Sequence, residues 1–244
     1  MTKKTKVLSL VIPAHNEEES IENTIKVFHK KLESEKIPHE IVVVNDNSTD
    51  STEDILKKLK KNIKELNYVN NEPPNGFGYA VKKGLDSFTG DYVALVMADA
   101  SDSPADLCEM YEVAVEKEVD CVFGSRFTSE ANLVDYPKKK LFFNRFGNNI
   151  ARFAFGLKYN DLTNAFKLYS KDTIEKIKPL KSDHFNLTLE LSLKSILSGA
   201  SYEIVPTDWY NRQAGEAKLK IFNMAPKYLY TIVLCLRYKY LRKR

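Results

Sequence analysis

Short apolar runs alternate with helical stripes of apolar residues along the first half of this 244-residue sequence. The runs are rich in β-branched residues, as buried parallel strands are, and they predict strands at Val7–Pro13, Ile41–Val44, Asn67–Asn71, Asp91–Met97 and Asp120–Gly124. Apolar residues at spacings of three and four predict helices over Ile21–Leu32, Ile55–Leu66 and Tyr79–Ser87, and from Pro104 onward. This order of elements predicts an α/β fold with a mostly parallel central sheet and helices on both faces.

The second half of the sequence is less regular. Lys138–Phe155 mixes cations with aromatic residues and predicts an amphipathic helix; a further helix is predicted at Asn186–Leu197 and a strand at Tyr202–Val205. From Ile221 onward, one helical face carries an apolar stripe, and basic residues gather near the ends. The stripe consists of Ala225, Leu229, Ile232, Val233, Leu236 and Tyr240. We therefore expect one α/β domain over residues 1–220 and a basic amphipathic C-terminal helix over residues 221–244.

Polar residues follow four of the predicted strands directly, in turns that begin at Ala14, Asn45, Ala98 and Ser125. In a mostly parallel sheet, ligands bind outside the carboxyl ends of the strands. The four turns are therefore expected to share one site.

The turn after Met97 carries two carboxylates, Asp99 and Asp102. Carboxylates three residues apart can share a divalent cation, and their hard oxygen atoms favour Mg²⁺ or Mn²⁺. The alternative is that Asp102 or Ser103 caps the helix that begins at Pro104, because proline favours the first helical turn. Asp102 could serve both purposes.

The other turns carry weaker signals. Asp46 as a ligand would accept a hydrogen bond from a nucleobase or a ribose, but its spacing alone favours a role in capping the next helix. The segment with Gly76 and Gly78 matches neither GxGxxG nor GxxxxGK[ST], so a plain turn is favoured there. Arg126 stands at a strand end and suits bidentate phosphate binding.

The charge of the chain is unevenly placed. The net charge is +4, yet eight of the 37 basic residues follow Glu216 and no acidic residue does, so the preceding part is net acidic. The tail lacks a base-reading motif, so we predict no nucleic-acid partner and instead an anionic membrane surface. The longest uncharged stretch of the tail, Tyr228–Leu236, is far shorter than the ~20 residues of a spanning helix, so the tail is expected to lie on the membrane. The alternative is that it packs on the protein's own core or on a second subunit.

The compartment is predicted from the cysteines and the first residues. Cys108, Cys121 and Cys235 form no CxxC motif and no even set, which favours buried free thiols in a reducing compartment. The apolar run near the start ends at Pro13 and acidic residues follow, which is not typical of a signal peptide. We expect a cytoplasmic protein that associates peripherally with the cytoplasmic face of a membrane.

Several segments together resemble one known family. Val11–Glu18 and Val42–Asp50 are similar to the opening motifs of the family 2 glycosyltransferases, which have the GT-A fold, and Asn75–Ala80, the Asp99/Asp102 turn and Gly124–Arg126 follow in the expected order. Within that family, Asn160–Tyr169, Glu190 and Asn211–Lys218 resemble the dolichol-phosphate mannosyltransferase-like group of polyprenyl-phosphate glycosyltransferases. The resemblance covers residues 7–218.

The resemblance implies a role for each matching residue. The nucleotide-sugar donor would be held by Pro13, Ala14, Asn16, Glu17, Asp46, Gly76 and Gly78. Asp99 and Asp102 would hold Mg²⁺ or Mn²⁺ and, with it, the donor diphosphate. The acceptor phosphate would meet Arg126, Lys140 and Asn144, and Arg212 and Lys218 would close over the donor or acceptor phosphates.

The sequence departs from the pattern of that group at two places. The group has Asp-x-Asp followed two residues later by a third ligand. When the turn is aligned on Pro104, these positions fall on Ala98, Ala100 and Asp102, with Asp99 between the first two. Asn164 stands where the group commonly has Ser or Gly, and Lys167 stands where it commonly has Arg.

The implied reaction moves a sugar, with inversion, from a GDP- or UDP-linked donor to a polyprenyl or dolichyl phosphate at the membrane surface. A phosphate monoester has a second pKa of about 6, so its oxygen needs no strong base. Two alternatives stay open. A hydroxyl acceptor such as a glycan would need a carboxylate base, for which Asp161 and Glu190 are the candidates. The chain could instead be a non-catalytic module that binds nucleotide sugars or membranes.

Overall fold

The computed structural model describes residues 6–210 and 221–241. The described residues form nine strands: β1 (Leu8–Ala14), β2 (His39–Asn45), β3 (Leu66–Asn70), β4 (Tyr92–Leu95), β5 (Cys121–Ser125), β6 (Leu133–Val134), β7 (Lys167–Ser170), β8 (Tyr202–Pro206) and β9 (Trp209–Tyr210). They also form eight helices: α1 (Ile21–Ser34), α2 (Thr52–Lys60), α3 (Phe77–Ser87), α4 (Pro104–Glu116), α5 (Lys138–Phe155), α6 (Lys171–Ile177), α7 (Leu187–Leu197) and α8 (Ile221–Leu241).

Seven strands build the main sheet in the order β3-β2-β1-β4-β7-β5-β8. Neighbouring strands are parallel except at β7, which runs antiparallel to β4 and β5. Strands β6 and β9 form a separate two-stranded parallel sheet. The mostly parallel sheet predicted from the sequence is confirmed, and the carboxyl ends of β1, β2, β4 and β5 lie at one edge.

Alternating strand residues separate two apolar cores. In β1, Leu10 and Ile12 face the core formed with α1, α2 and α4, whereas Val11 faces the core formed with α3, α5, α6, α7 and α8. The same alternation holds in β2 and β4, as the two-residue period of a strand requires. Helices therefore cover both faces of the sheet, and Cys108, Cys121 and Cys235 are buried free thiols, as predicted.

The structure differs from the sequence prediction at the end of one helix and at strand β7. The predicted helix stripe over Ile55–Leu66 is wrong at its end, because α2 stops at Lys60 and Leu66 begins β3, where it pairs with Ile41. Spacings of three and four continue by chance across the turn between them. Strand β7 was not predicted, because its four residues begin with Lys167, a charged side chain that is wholly buried.

Helix α8 packs against α7 through one face. Thr231 accepts a hydrogen bond from the Asn186 side chain at 2.9 Å and lies 3.2 Å from the Ser182 hydroxyl. Ile232 and Cys235 join the apolar core on the same side of the sheet. The alternative in which this helix packs on the protein's own core therefore holds for this face.

The opposite face of α8 and one face of α5 are apolar and exposed. We call this surface the apolar outer face, and it comprises Phe142, Phe143, Phe146, Ile150 and Phe153 of α5 with Leu229, Tyr230, Val233, Leu236, Tyr240 and Leu241 of α8. Phe153 is the most exposed of these side chains, at 91%. Ile232 belongs to the apolar stripe predicted to lie on the membrane, but it is buried in the core. Among the described helices, none combines the length and the hydropathy that crossing a membrane requires.

Candidate active site

A cleft of about 460 Å³ opens at the carboxyl ends of the strands and reaches across to α5, α7 and α8. It brings together ten of the predicted site residues: Pro13, Ala14, Glu17, Asp46, Gly76, Asp99, Asp102, Arg126, Lys140 and Asn144. Arg212 and Lys218 lie outside the described residues. The turns after β1, β2, β4 and β5 thus share one site, as the strand order predicts.

Asp46 is buried at the carboxyl end of β2 and is fixed by two neighbouring segments. One carboxylate oxygen accepts a hydrogen bond from the Asn71 side chain at 2.7 Å, and the other accepts from the Gly76 backbone N–H at 2.8 Å. At the start of α2 the Thr52 N–H donates instead to the Asp50 side chain at 2.9 Å. Asp46 is therefore held facing the cleft. It does not cap α2, although its spacing in the sequence favoured that role.

Asn16 and Gly78 do not line the cleft. The Asn16 side chain accepts a hydrogen bond from the Thr49 N–H at 2.7 Å and so joins the turns after β1 and β2. At Gly78, a Cβ atom would lie 2.3 Å from the Asp183 carbonyl carbon, so only glycine lets α3 approach the segment before α7 this closely. Both residues support the walls of the cleft.

The turn after β4 presents two carboxylates to the cleft. Ser103 caps α4 by accepting a hydrogen bond from the Asp106 N–H at 3.2 Å, so Asp102 is not the cap. Asp102 instead accepts from the Met97 N–H at 2.8 Å across the turn. Ala100 takes a positive φ of 56°, and Asp99 and Asp102 both line the cleft.

These carboxylates suit a cation that arrives with a substrate. Burial raises the pKa of Asp102 to about 7, and the charge of Asp99 adds to the rise against the opposing Met97 N–H and Arg126. No group of three or more His, Cys, Asp or Glu side chains in the described residues forms a complete metal site. Two hard carboxylates completed by substrate phosphates and water are a common way for proteins to hold Mg²⁺, and Mn²⁺ accepts the same donors. The donor set therefore fits the predicted metal.

Arg126 forms a buried two-point ion pair with Asp161. Its Nε and Nη2 each donate to one carboxylate oxygen at 2.8 Å, and its backbone N–H donates to the same carboxylate at 3.0 Å. Burial lowers the pKa of the guanidinium, but Asp161 outweighs it, so the net pKa is raised and the charge is permanent. Nη1 makes no hydrogen bond to any residue in the described part of the chain, and the side chain lines the cleft.

Neither carboxylate proposed as a base for a hydroxyl acceptor is available. Asp161 is wholly buried and holds Arg126 with both oxygens. Glu190 is also wholly buried, accepts from the Lys181 and Ser182 N–H groups, and pairs with Lys194 at 2.8 Å. Both side chains stabilise the fold instead of facing the cleft.

Lys140 and Asn144 stand one turn apart on α5 and line the cleft, and Lys140 shares the Tyr136 ring with Arg126. Asn144 donates to the Tyr136 hydroxyl at 2.5 Å, and the Lys140 ammonium lies over the rings of Tyr136 and Trp209. Asn164 also lines the cleft, whereas Lys167 points behind it and donates to the carbonyl oxygens of Leu162 and Asn164. The cleft thus combines the carboxylates of Asp99 and Asp102 with two cations, Arg126 and Lys140, that both lie beside the Tyr136 ring; we call this part of the cleft the cationic end.

Sequence reasoning missed several cleft residues. Phe77 and Phe185 stack with ring centroids 4.3 Å apart, and His184, Trp209 and Tyr228 complete the wall. Trp209 is the single tryptophan of the sequence and stands two residues before the first residue of the Asn211–Lys218 motif, which is a usable signal. The others come from the start of α3, from α8 and from the segment before α7, and no local pattern predicts that these segments meet at the strand ends.

Comparison with known proteins identifies the family of this chain. Residues 9–178 match glycosyl transferase family 2. The chain belongs to this family and is a glycosyltransferase.

Two curated relatives have names that describe glycosyl transfer. The chain is 26% identical over 206 residues to glycosyltransferase AglD of Haloferax volcanii, and the match covers 83% of this chain but 33% of AglD, so the chain spans about a third of that relative. It is 25% identical over 221 residues to polyprenol monophosphomannose synthase of Mycolicibacterium smegmatis, with 88% of this chain and 82% of that protein covered. These relatives support a polyprenyl-phosphate glycosyltransferase-like group.

Solved structures show the same fold. Glucosyl-3-phosphoglycerate synthase from Mycobacterium tuberculosis, in complex with Mn²⁺, UDP-glucose and phosphoglyceric acid, matches with a TM-score of 0.75 at 14% identity, covering 94% of this chain and 79% of the other. Its complex with UDP matches with a TM-score of 0.71 at 15% identity, covering 94% and 80%. The predicted GT-A fold is therefore confirmed.

Proposed function

We propose that this glycosyltransferase moves a sugar from a GDP- or UDP-linked donor to a polyprenyl or dolichyl phosphate, with inversion, at a membrane surface. The observation that carries the proposal is the distribution of charge in the cleft. The carboxylates of Asp99 and Asp102 line the cleft, the cations of Arg126 and Lys140 gather beside Tyr136, and the two suspected bases are held in buried ion pairs. Such a site suits an acceptor that is already ionised.

In this proposal the donor and its metal bind at the turns after β1, β2 and β4. Asp46 would accept a hydrogen bond from the nucleoside of the donor, and Pro13, Ala14 and Glu17 would flank it. A divalent cation at Asp99 and Asp102, Mg²⁺ or Mn²⁺, would stabilise the charge that develops on the leaving diphosphate. The name of the Mycobacterium tuberculosis complex includes Mn²⁺ and UDP-glucose, which supports a donor and a cation of these kinds.

The acceptor phosphate would meet the cationic end. Nη1 of Arg126, Nζ of Lys140 and the Asn144 side chain would position it beside the anomeric carbon. A phosphate oxygen then forms the new bond to that carbon while the bond to the donor diphosphate breaks, and its electron pair leaves with the nucleoside diphosphate. A doubly ionised phosphate transfers no proton in this step, so the protein needs no base.

The apolar outer face supports a lipid acceptor. It is formed by α5, which carries Lys140 and Asn144, and by α8, which contributes Tyr228 to the cleft. A polyprenyl chain could therefore remain in the membrane while its phosphate enters the cleft, and the basic residues near the end of α8 would favour anionic lipid. We accordingly propose peripheral attachment to the cytoplasmic face of a membrane.

A transfer assay tests the proposal. The full chain is incubated with Mn²⁺, a polyprenyl phosphate and each of a panel of labelled nucleotide sugars, and the label is partitioned between water and organic solvent. We expect label in the organic phase for one donor class, and its loss when chelator removes the metal. Label that stays in a water-soluble product with every donor would contradict the lipid acceptor.

A hydroxyl acceptor is the second candidate, and His184 is the observation that favours it. This histidine lines the cleft, and its pKa is lowered, first by burial and then by Lys227. A neutral imidazole can accept a proton from a hydroxyl group. His184→Gln separates the candidates, because it removes this base while leaving Arg126 and Lys140 intact.

A further inference from the structure

Trp209 stands at the acceptor end of the cleft in a group of stacked side chains. Its ring lies 4.5 Å from the Tyr136 ring, centroid to centroid, at an angle of 58°. The Lys140 ammonium lies 4.9 Å from the centre of the Trp209 ring and 5.2 Å from that of Tyr136. One cation is therefore held against two aromatic rings.

The backbone fixes the tryptophan in this place. The Trp209 N–H donates to the Asn132 carbonyl at 2.9 Å, and the residue pairs with Leu133 in the two-stranded sheet. The preceding N–H, of Asp208, donates to the Asp106 carboxylate of α4 at 2.8 Å. The segment is thus attached to the helix that follows the Asp99/Asp102 turn, and its ring reaches across to α5.

The aromatic pair is itself anchored to the acceptor end. Tyr136 is buried, and its hydroxyl accepts the hydrogen bond from Asn144, the other predicted phosphate ligand of α5. The two rings therefore organise both Lys140 and Asn144. Neither ring needs to touch the reacting atoms to affect how an anion binds.

We propose that Trp209 is a positioning residue for the acceptor phosphate, which it serves by holding the Lys140 ammonium at the mouth of the acceptor end. The proposal rests on the proposed function, in that the acceptor carries a phosphate. A free lysine side chain explores many rotamers and loses that freedom when it binds an anion. An ammonium already held over a tryptophan and a tyrosine loses less, because cation–π attraction is strongest at tryptophan.

The expected effect is specific to acceptor binding. Trp209→Leu removes the ring and should raise the KM for farnesyl phosphate, a short polyprenyl phosphate, by roughly tenfold, as a cation–π contact of ordinary strength implies. The KM for the nucleotide sugar should not change. Trp209→Phe keeps an aromatic face and should restore most of the loss.

A double-mutant cycle shows whether Trp209 acts through Lys140. Lys140→Met should raise the KM for farnesyl phosphate at least as much as Trp209→Leu does, and the double variant should be no worse than Lys140→Met alone. Effects that add would overturn the proposal, since Trp209 would then act through its own contact with the acceptor. Equal losses in the donor KM and in melting temperature would also overturn it, because they would indicate a structural role only.

Fluorescence separates failure of this proposal from failure of the proposed function. Trp209 is the one tryptophan of the chain, so its emission reports this site alone. We expect farnesyl phosphate and, more weakly, inorganic phosphate to change the emission of the wild-type chain and to leave that of Lys140→Met unchanged. A response to inorganic phosphate without transfer to farnesyl phosphate refutes the lipid acceptor but supports the role of Trp209. No response of the wild-type chain to either anion refutes the role of Trp209.

Discussion

The buried ion pair between Arg126 and Asp161 offers a way to separate catalysis from folding. Asp161→Asn keeps the size of the side chain but removes the counter-charge. The Arg126 side chain, which is 10% exposed, then stands beside a neutral amide. The simple variant Arg126→Ala is less informative, because it leaves the Asp161 carboxylate wholly buried without its partner. The useful comparison is between Asp161→Asn and the double variant Arg126→Met/Asp161→Asn.

The expected loss of stability follows from burial. Breaking a buried ion pair by removing one partner costs about 3–5 kcal/mol, and the reach of Arg126 into the cleft places Asp161→Asn near the lower end. For a chain of this size, ~3 kcal/mol corresponds to a fall in melting temperature of roughly 6–12 °C. The double variant removes both charges and retains an amide oxygen for the Arg126 backbone N–H, so its stability should recover to within about 1–2 kcal/mol of the wild type.

Activity should not recover with stability. If Arg126 positions the acceptor phosphate, the double variant folds well yet shows a raised KM for the polyprenyl phosphate and a nearly unchanged KM for the nucleotide sugar. Thermal melting and steady-state kinetics measure the two effects. Arg145→Met is the matched control, since Arg145 is exposed on α5 and its guanidinium lies 5.4 Å from the Phe127 ring, as that of Arg126 does. Recovery of activity together with stability in the double variant would refute a role for Arg126 beyond the fold.

Three further predictions follow from other parts of the structure. Asp99→Asn and Asp102→Asn should each reduce metal-dependent transfer far more than they reduce melting temperature; full turnover of both variants with chelator present would show that the metal assignment is wrong. Phe146→Asp and Phe153→Asp, on the apolar outer face, should weaken co-sedimentation with anionic vesicles, whereas Val27→Asp on the exposed side of α1 should not; equal binding by all three variants would argue against the membrane. Burial lowers the pKa of Lys167 to about 7 against the pull of Asp161. Above that pH the folded state releases a proton that the unfolded state keeps, so the free energy of unfolding of the wild type should rise with pH relative to that of Lys167→Met. The rise should reach up to about 1.4 kcal/mol per pH unit and end near the unfolded pKa of ~10.4. If urea unfolding shows the same difference between the two proteins at every pH, Lys167 stays charged when folded.

Local patterns predicted much of this fold because β1, β2, β4 and β5 are buried and largely apolar on both sides, and each turn that follows them carries polar residues. The alternation of Leu10, Val11 and Ile12 between two cores is the arrangement that a buried parallel strand requires. Strand β7 could not be predicted in the same way, because its first residue is a buried lysine whose ammonium is satisfied by the carbonyl oxygens of Leu162 and Asn164. That arrangement exists only after the chain has folded.

In the site, too, some features could be predicted from the sequence and others could not. Asp99 and Asp102 could be found from sequence, because both carboxylates stand in one turn after an apolar strand. The partnership of Arg126 with Asp161 spans 35 residues and depends on β5 meeting the segment before β7, so sequence spacing gave no sign of it. For the same reason the sequence suggested Asp161 and Glu190 as bases, although their burial makes them partners of Arg126 and Lys194.

The most direct test of the account compares two acceptors that differ only in the phosphate. A polyprenyl phosphate and the polyprenol of the same chain length are offered with the preferred nucleotide sugar and Mn²⁺, and kcat/KM is measured for each. The account predicts transfer to the phosphate, with a rate that follows its second ionisation near pH 6, and no measurable transfer to the alcohol. Transfer to the polyprenol at a comparable kcat/KM would contradict it, because a hydroxyl acceptor needs a base, and the candidate for that base would then be His184.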